Sequence, residues 1–216
     1  FTGDLTLESW VYPIGGYTNY GRIIDFGVGQ NNDNVILTSS FGTNGFPRFY
    51  VFYGTSSLSE IGSSVQIPLN TWSHVAATLS GTTATIYING VAAGTTTFAA
   101  APNNVTRPNC YIGRSNWAGD PYPNQKLDEI RIWNVARTQA QIQADMNCTI
   151  PPQAGLMVNY RFDEGVAGGT NTSQPNTIDY SGNNRCGFLG NFTMTGSTSN
   201  FVTGAIGDCN GSAIAV

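Results

Sequence analysis

Short runs of strand-forming residues recur about every ten residues along this sequence, and this spacing limits the fold more than any other feature. The runs are rich in Val, Ile, Thr, Tyr and Phe, and glycine, proline or asparagine separates them. The dipeptide Asn89-Gly90 lies between extended residues and predicts a tight hairpin. The sequence therefore predicts an all-β fold, an antiparallel two-sheet sandwich or jelly roll. The runs lie at 5–13, 22–26, 35–38, 48–53, 72–79, 84–91, 110–113, 127–133, 156–162 and 188–195.

One short helix follows the strand at 127–133. Thr138 is a suitable N-cap residue, and we expect the helix near 138–147. In the preceding strand, successive side chains point to opposite faces of the sheet. Ile130 and Ile132 are therefore expected on one face, opposite Arg131 and Trp133.

The low charge of the chain restricts its partners. Charged residues make up 10% of the 216 residues and aromatic residues 12%, which is untypical of a disordered chain. The formal net charge is −4, and Lys126 is the one lysine of the sequence. Because nucleic acids and anionic membranes attract basic patches, we expect neither as a partner. No apolar run approaches the roughly 20 residues of a membrane span, so we expect no membrane insertion.

The length favours a single domain over residues 1–216, in which residues 156–206 add late strands to the same sandwich. No signal peptide is visible, and we expect a mature chain or an excised segment. The four cysteines form no CxxC pair, which argues against zinc and favours two disulfides in an oxidising compartment. Three pairings are possible, and proximity in sequence favours Cys110 with Cys148 and Cys186 with Cys209. The protein is accordingly predicted to be secreted.

Four stretches in order resemble the laminin-G-like, concanavalin-A-like jelly-roll domains of bacterial cell-surface, adhesin-type proteins. They are 1–13, 72–76 with 86–90, 127–138, and 155–165 with 179–184. The resemblance implies a non-catalytic carbohydrate-binding or cell-adhesion module of a larger secreted bacterial protein. Glycans or another cell-surface ligand would be its partners.

The family pattern has one more strand before Phe1. We expect either that the chain is a segment of a longer protein or that a neighbouring copy or module supplies this strand. Strand exchange of this kind would also build filaments. A structural repeat or filament subunit without a sugar ligand is therefore the alternative function.

The resemblance also implies a structural Ca²⁺ ion, bound by an aspartate that opens the penultimate strand, here Asp128. Ca²⁺ takes six to eight oxygen ligands, and Glu164 and Asp179 are the natural companions. In the alternative interpretation, Asp128 caps a turn or pairs with Arg131, and Asp179 forms an Asx-turn.

Two loops, 114–124 and 17–22, have the composition of a sugar site, with flat aromatic faces beside Asn, Asp and Arg. Loops at one end of a sandwich commonly carry binding residues. In the alternative, Trp117 packs over the edge of the core. The candidate ligand-binding residues are Trp117, Asn116, Asp120, Tyr122, Tyr20 and Arg22.

An enzyme of the same fold is the second alternative. A retaining glycoside hydrolase needs two carboxyl groups about 5 Å apart. Asp128 and Glu129 are neighbours on a strand and should point to opposite faces, so they are not expected to pair. His74 is the one histidine and lies within a strand, where a packing role is favoured over a general base. We therefore predict no catalytic residues and no enzymatic activity.

Overall fold

The computed structural model describes residues 3–206 and has almost only β-structure there. Every strand pair is antiparallel. In chain order the elements are β1 (Leu5–Pro13), β2 (Arg22–Gly27), β3 (Val35–Thr38), β4 (Arg48–Tyr53), β5 (Ser57–Gly62), β6 (Ser73–Ser80), β7 (Thr83–Ile88), β8 (Val91–Thr97), β9 (Asn109–Ile112), β10 (Gln125–Trp133), α1 (Gln139–Asp145), β11 (Leu156–Tyr160), β12 (Asn176–Thr177) and β13 (Gly187–Phe188).

Two large sheets form the sandwich. The six-stranded sheet has the order β11-β10-β1-β6-β7-β8, and the five-stranded sheet has the order β5-β4-β3-β2-β9. A separate two-stranded sheet pairs β12 with β13. The predicted antiparallel two-sheet jelly roll with one short helix is confirmed.

Alternating side chains build the core between the sheets. Along β1, Leu5, Leu7 and Val11 are fully buried in the main apolar cluster. Ile130 and Ile132 of β10 belong to the same cluster, as the alternation predicts. Since one face of each sheet is used in this way, the opposite faces are left for other contacts.

Helix α1 covers the outer face of the six-stranded sheet. Thr138 is its N-cap and forms a capping box with Gln141, which satisfies amide groups at the helix start. Ile142 packs against Ala76 and Tyr87, and these three residues form a second apolar cluster. The short helix is thus held by its cap and by one anchor residue.

A buried polar network lies on the same face as the helix. Trp133 Nε1 donates a 2.8 Å hydrogen bond to Glu8 Oε1, and Arg131 binds Glu129 Oε2 at 2.7 Å. Glu129 has a φ of +49° next to a register shift between β1 and β10, and this bulge brings it beside Arg131. Burial raises the pKa of Glu8, against the opposing effect of Arg131. Most of its polar atoms are paired within the network, although Glu8 Oε2 has no hydrogen-bond partner among the described residues.

Several local expectations are corrected by the structure. Strand β5 was not predicted, and in the predicted run 188–195 only Phe188 lies in a strand. Cys110 and Cys186 carry free, exposed thiols, so the pairings of Cys110 with Cys148 and of Cys186 with Cys209 are wrong. Cys209 and the expected strand before Phe1 lie outside the described residues.

Within residues 3–206, no helix has both the length and the apolar character that crossing a membrane requires.

Candidate functional site

Strand β4 carries aromatic side chains on both of its faces. Phe49 and Val51 lie in the core. Tyr50 and Phe52 alternate with them and therefore lie on the outer face of the five-stranded sheet. In register, Tyr50 faces Glu60 of β5, and Phe52 faces Leu58. This outer face is consequently apolar at one end and polar at the other.

The loop after β9 folds onto this face. The Trp117 ring lies 5.6 Å from the Phe52 ring, measured between centroids. Asn116 fixes the loop to β2, because its backbone N–H and its side-chain amide donate to the Asp25 carboxylate at 3.0 and 2.8 Å. Trp117 thus packs on the sheet's outer face, which is not the core edge that the alternative foresaw.

Arg22 connects the two predicted loops. It forms ion pairs of 3.0 Å with both Asp25 and Asp120, and only 5% of its side chain is exposed. Its guanidinium carbon lies 5.1 Å from the centre of the Trp117 ring and 5.7 Å from that of Tyr20. Such cation–π contacts and paired charges hold both rings in defined positions.

A second aromatic pair continues the surface towards the β5 edge. Tyr20 and Phe41 meet edge to face with 5.4 Å between ring centroids. Arg48 lies over Phe41 at 3.8 Å and forms a 2.5 Å ion pair with Glu60. We call the whole surface the outer-face platform. Its residues are Tyr20, Arg22, Phe41, Arg48, Tyr50, Phe52 and Trp117, together with Asp25, Asp120 and Glu60, the carboxylates that pair with its two arginines.

Tyr50 is the most enclosed of the platform's aromatic residues. It is 7% exposed, and its hydroxyl has no hydrogen-bond partner among the described residues. Burial raises the pKa of Tyr50, and the negative charge of Glu60 raises it further. The phenol is therefore neutral, with a free donor and free acceptor positions.

Five of the six candidate ligand-binding residues are therefore close together, and Tyr122 is not one of them. Tyr122 is 62% exposed and accepts a weak 3.4 Å hydrogen bond from Asn191. It lines a cleft of about 1900 Å³, along with core-edge residues such as Phe26 and Leu127. That cleft also borders β9 and the segment after β11.

The three candidate calcium ligands occupy separate places. Asp128 accepts backbone N–H groups of Glu129 and Ala205, and burial raises its pKa to about 7. Glu164 accepts from Thr177 and from the N–H of Ile178. Both carboxylate oxygens of Asp128 already accept backbone N–H groups, so Asp128 as placed does not fit a calcium ligand.

The carboxylate of Asp179 is also occupied by hydrogen-bond donors. Its carboxylate accepts the N–H groups of Asn159, Ser181 and Arg185, together with the Ser181 hydroxyl. Among residues 3–206, no three His, Cys, Asp or Glu side chains gather as metal ligands. The three carboxylates therefore do not form one ligand set, and calcium bound by other oxygens stays a prediction.

The family of the chain is now clear. Residues 1–143, out of 216, match the family model for the concanavalin A-like lectin/glucanases superfamily. The chain belongs to this superfamily. No curated protein sequence matches the chain significantly.

Solved structures with the same fold include proteins named for sugar binding. A Bacteroides ovatus protein, whose name suggests carbohydrate binding, is 19% identical over 87% of this chain and 52% of its own, with a TM-score of 0.62. Domain 4 of an extracellular arabinanase from Geobacillus stearothermophilus, solved with arabinotriose, is 22% identical over 67% of each chain, with a TM-score of 0.55. Domains LG4-5 of mouse laminin α1 are 13% identical over 64% of this chain and 37% of theirs, with a TM-score of 0.50.

These likenesses concern the fold, since all three identities are low. The chain spans about half of the Bacteroides protein, 52% of its length. What this superfamily member binds is therefore argued from its own side chains.

The platform contains residues that the sequence did not single out. Phe41, Arg48, Tyr50 and Phe52 lie outside the two loops that were expected to bind sugar. The strand at 48–53 could have indicated them, because its aromatic side chains point to both faces and those on the outer face do not pack in the core between the sheets.

Proposed function

We propose that this chain is a non-catalytic, extracellular carbohydrate-binding module whose ligand lies on the outer-face platform. The observation that carries the proposal is the position of Trp117, which lies partly buried on the outer face of the sheet and is fixed by Arg22 and Phe52. The fold neighbours named for carbohydrate binding support this class of ligand. The scarcity of charged residues fits a secreted or cell-surface module.

The chemistry of the platform suits a sugar. The C–H faces of a pyranose or furanose ring are apolar, and the faces of Trp117 and Phe52 supply apolar area in fixed positions. Sugar hydroxyls need donors and acceptors, which Asn116, Asp120 and Tyr50 offer beside the rings. Because the loop is already held by Asp25, little conformational entropy remains to be lost on binding.

The acidic groups of the platform favour binding over hydrolysis. Asp25 and Asp120 are both paired with Arg22, and Glu60 is paired with Arg48. A hydrolase needs a protonated carboxylic acid that donates to the leaving group. An ion-paired carboxylate does not serve as that acid, and this supports a non-catalytic role.

The test is a glycan array followed by calorimetric titration of the best ligand. Trp117→Ala should weaken binding about 5- to 150-fold, because stacking on one aromatic residue contributes about 1–3 kcal/mol. Tyr122→Ala is the matched control, since it removes an exposed aromatic ring outside the platform. If Trp117→Ala bound the glycan as tightly as the wild type, the platform would not be the site.

A further inference from the structure

The charges of the platform are balanced within it. Arg22 is bound by Asp25 and Asp120, and Arg48 is bound by Glu60. Two guanidinium groups thus face three carboxylates, and neither cation is left without a counter-charge. A carboxylate or sulfate on a ligand would have to displace a carboxylate from one of these pairs, and the negative charges of the carboxylates would repel it.

A neutral hydrogen-bonding group lies among these pairs. The Tyr50 hydroxyl is buried and has no partner in the described part of the chain. Its register partner is Glu60, and Arg48 precedes it by two residues on β4. A buried hydroxyl without a partner destabilises the folded chain, and a hydrogen bond with a ligand hydroxyl would remove that cost. The Glu60 side chain is 40% exposed, so a small shift of this side chain can bring a ligand hydroxyl to the phenol.

We propose that the platform selects uncharged glycans over acidic ones, and that the Tyr50 hydroxyl forms a hydrogen bond with a hydroxyl group of the bound sugar. This inference rests on the proposed carbohydrate-binding function. Tyr50 acts as a specificity-determining residue, because its neutral phenol can donate and accept while the surrounding ions remain paired.

A cation without an ion pair in the described residues lies beside the platform, not within it. Arg114 is exposed and stacks on Tyr111 at 4.4 Å, and Tyr111 is the register partner of Asp25. No carboxylate among residues 3–206 forms an ion pair with Arg114. If the ligand were acidic, Arg114 is the residue that would bind its charge.

The experiment compares pairs of oligosaccharides that differ only in charge, such as a neutral glycan and its uronic acid or sulfated form. The neutral member of each pair should bind the wild type at least 10-fold more tightly, and its affinity should change little with added salt. Tyr50→Phe should weaken binding of the neutral glycan about 5- to 10-fold. The same variant should unfold at the same temperature as the wild type or higher, because it removes an unpaired buried hydroxyl. A purely structural tyrosine would not give these opposite effects.

The controls separate the two proposals. If acidic glycans bind more tightly, and both Trp117→Ala and Arg114→Gln abolish that binding, carbohydrate binding stands and selection for uncharged glycans is overturned. If Tyr50→Phe binds the neutral glycan unchanged, the role of Tyr50 is overturned. If no glycan binds, or Trp117→Ala is without effect, the proposed function fails, and this inference fails with it.

Discussion

His74 Nε2 lies 3.5 Å from Glu8 Oε2, and both side chains are almost completely buried between β6 and β1. The imidazole lies edge to face with the Trp10 ring at 5.5 Å, and Trp10 Nε1 donates to the carbonyl of Met146 after α1. Trp10 therefore contacts both the buried His74 ring and the end of α1.

We expect stability to depend on pH through His74. Burial and, to a smaller extent, the positive charge of Arg131 together lower its pKa to about 3. Below pH ~6.5 the unfolded chain takes up a proton that the folded chain does not, so this contribution is lost as pH falls from 6.5 towards 3. The loss is about 1.4 kcal/mol at pH 5.5 relative to pH 8. Urea unfolding of wild type and His74→Gln at both pH values should show this loss in the difference between them. Parallel pH profiles would mean that His74 does not remain neutral.

Removing Arg22 should destabilise the protein far more than removing Arg48. Arg22 and Asp25 are 5% and 0% exposed, and Arg22→Gln leaves the Asp25 carboxylate buried without its cation. The expected loss is about 3–5 kcal/mol. Arg48→Gln is the matched control, because its partner Glu60 is 40% exposed and an exposed pair contributes about 1 kcal/mol or less. Denaturant midpoints measure both, and equal losses would contradict the structural role of Arg22.

Much of the sandwich follows from local sequence, and the exceptions have physical reasons. The bounds of β3 and β4 were predicted fully, because both runs consist largely of β-branched and aromatic residues, which favour the extended conformation. Strand β5 is mostly exposed except for Ile61, so it forms through its pairing with β4 and has little signal of its own. In the run 188–195, Asn191 and Met194 adopt positive φ values of 66° and 59°, which interrupt an extended chain.

The candidate site was likewise predictable in part. Aromatic residues next to Asn, Asp and Arg identified the Trp117 and Tyr20 loops as candidates, and the structure brings both loops together at Arg22. Tyr50 was not predicted as a site residue, because aromatic residues occupy both faces of β4 and the sequence alone does not show which face packs in the core. Tyr122 was grouped with Trp117 because the composition of a loop does not show where each side chain points. In the structure, Trp117 of this loop lies on the platform and Tyr122 lies at the cleft.

The hairpin at Asn89-Gly90 should be sensitive to a single methyl group. Gly90 has a φ of +72°, and a Cβ there would lie 2.8 Å from Gln143 Cγ and 3.0 Å from Met146 Sδ. Gly81 is the control, because its φ is +57° and a Cβ would meet nothing within 4 Å. Gly81→Ala isolates the backbone strain of about 1 kcal/mol, and Gly90→Ala should lose about 1 kcal/mol more by disturbing α1. Thermal unfolding measures both, and equal losses would show that the helix side chains adjust freely.

Asp128 should give the opposite pH dependence to His74. Burial raises its pKa from 3.8 to about 7, although the N–H of Ala205 stabilises the carboxylate. The folded chain therefore keeps a proton that the unfolded chain has released, and this stability, present below pH 3.8, is lost as pH rises towards 7.

Relative to Asp128→Asn, the wild type should lose about 1.4 kcal/mol per pH unit between about pH 5 and 6.5. The His74→Gln series is the control, because in the same window its difference from the wild type has the opposite slope. Urea unfolding at several pH values measures the free energy of unfolding of each variant and so gives both slopes. A difference between the wild type and Asp128→Asn that does not fall as pH rises from about 5 to 6.5 would mean that Asp128 is ionised throughout this window, and its carboxylate would then be available as a cation ligand.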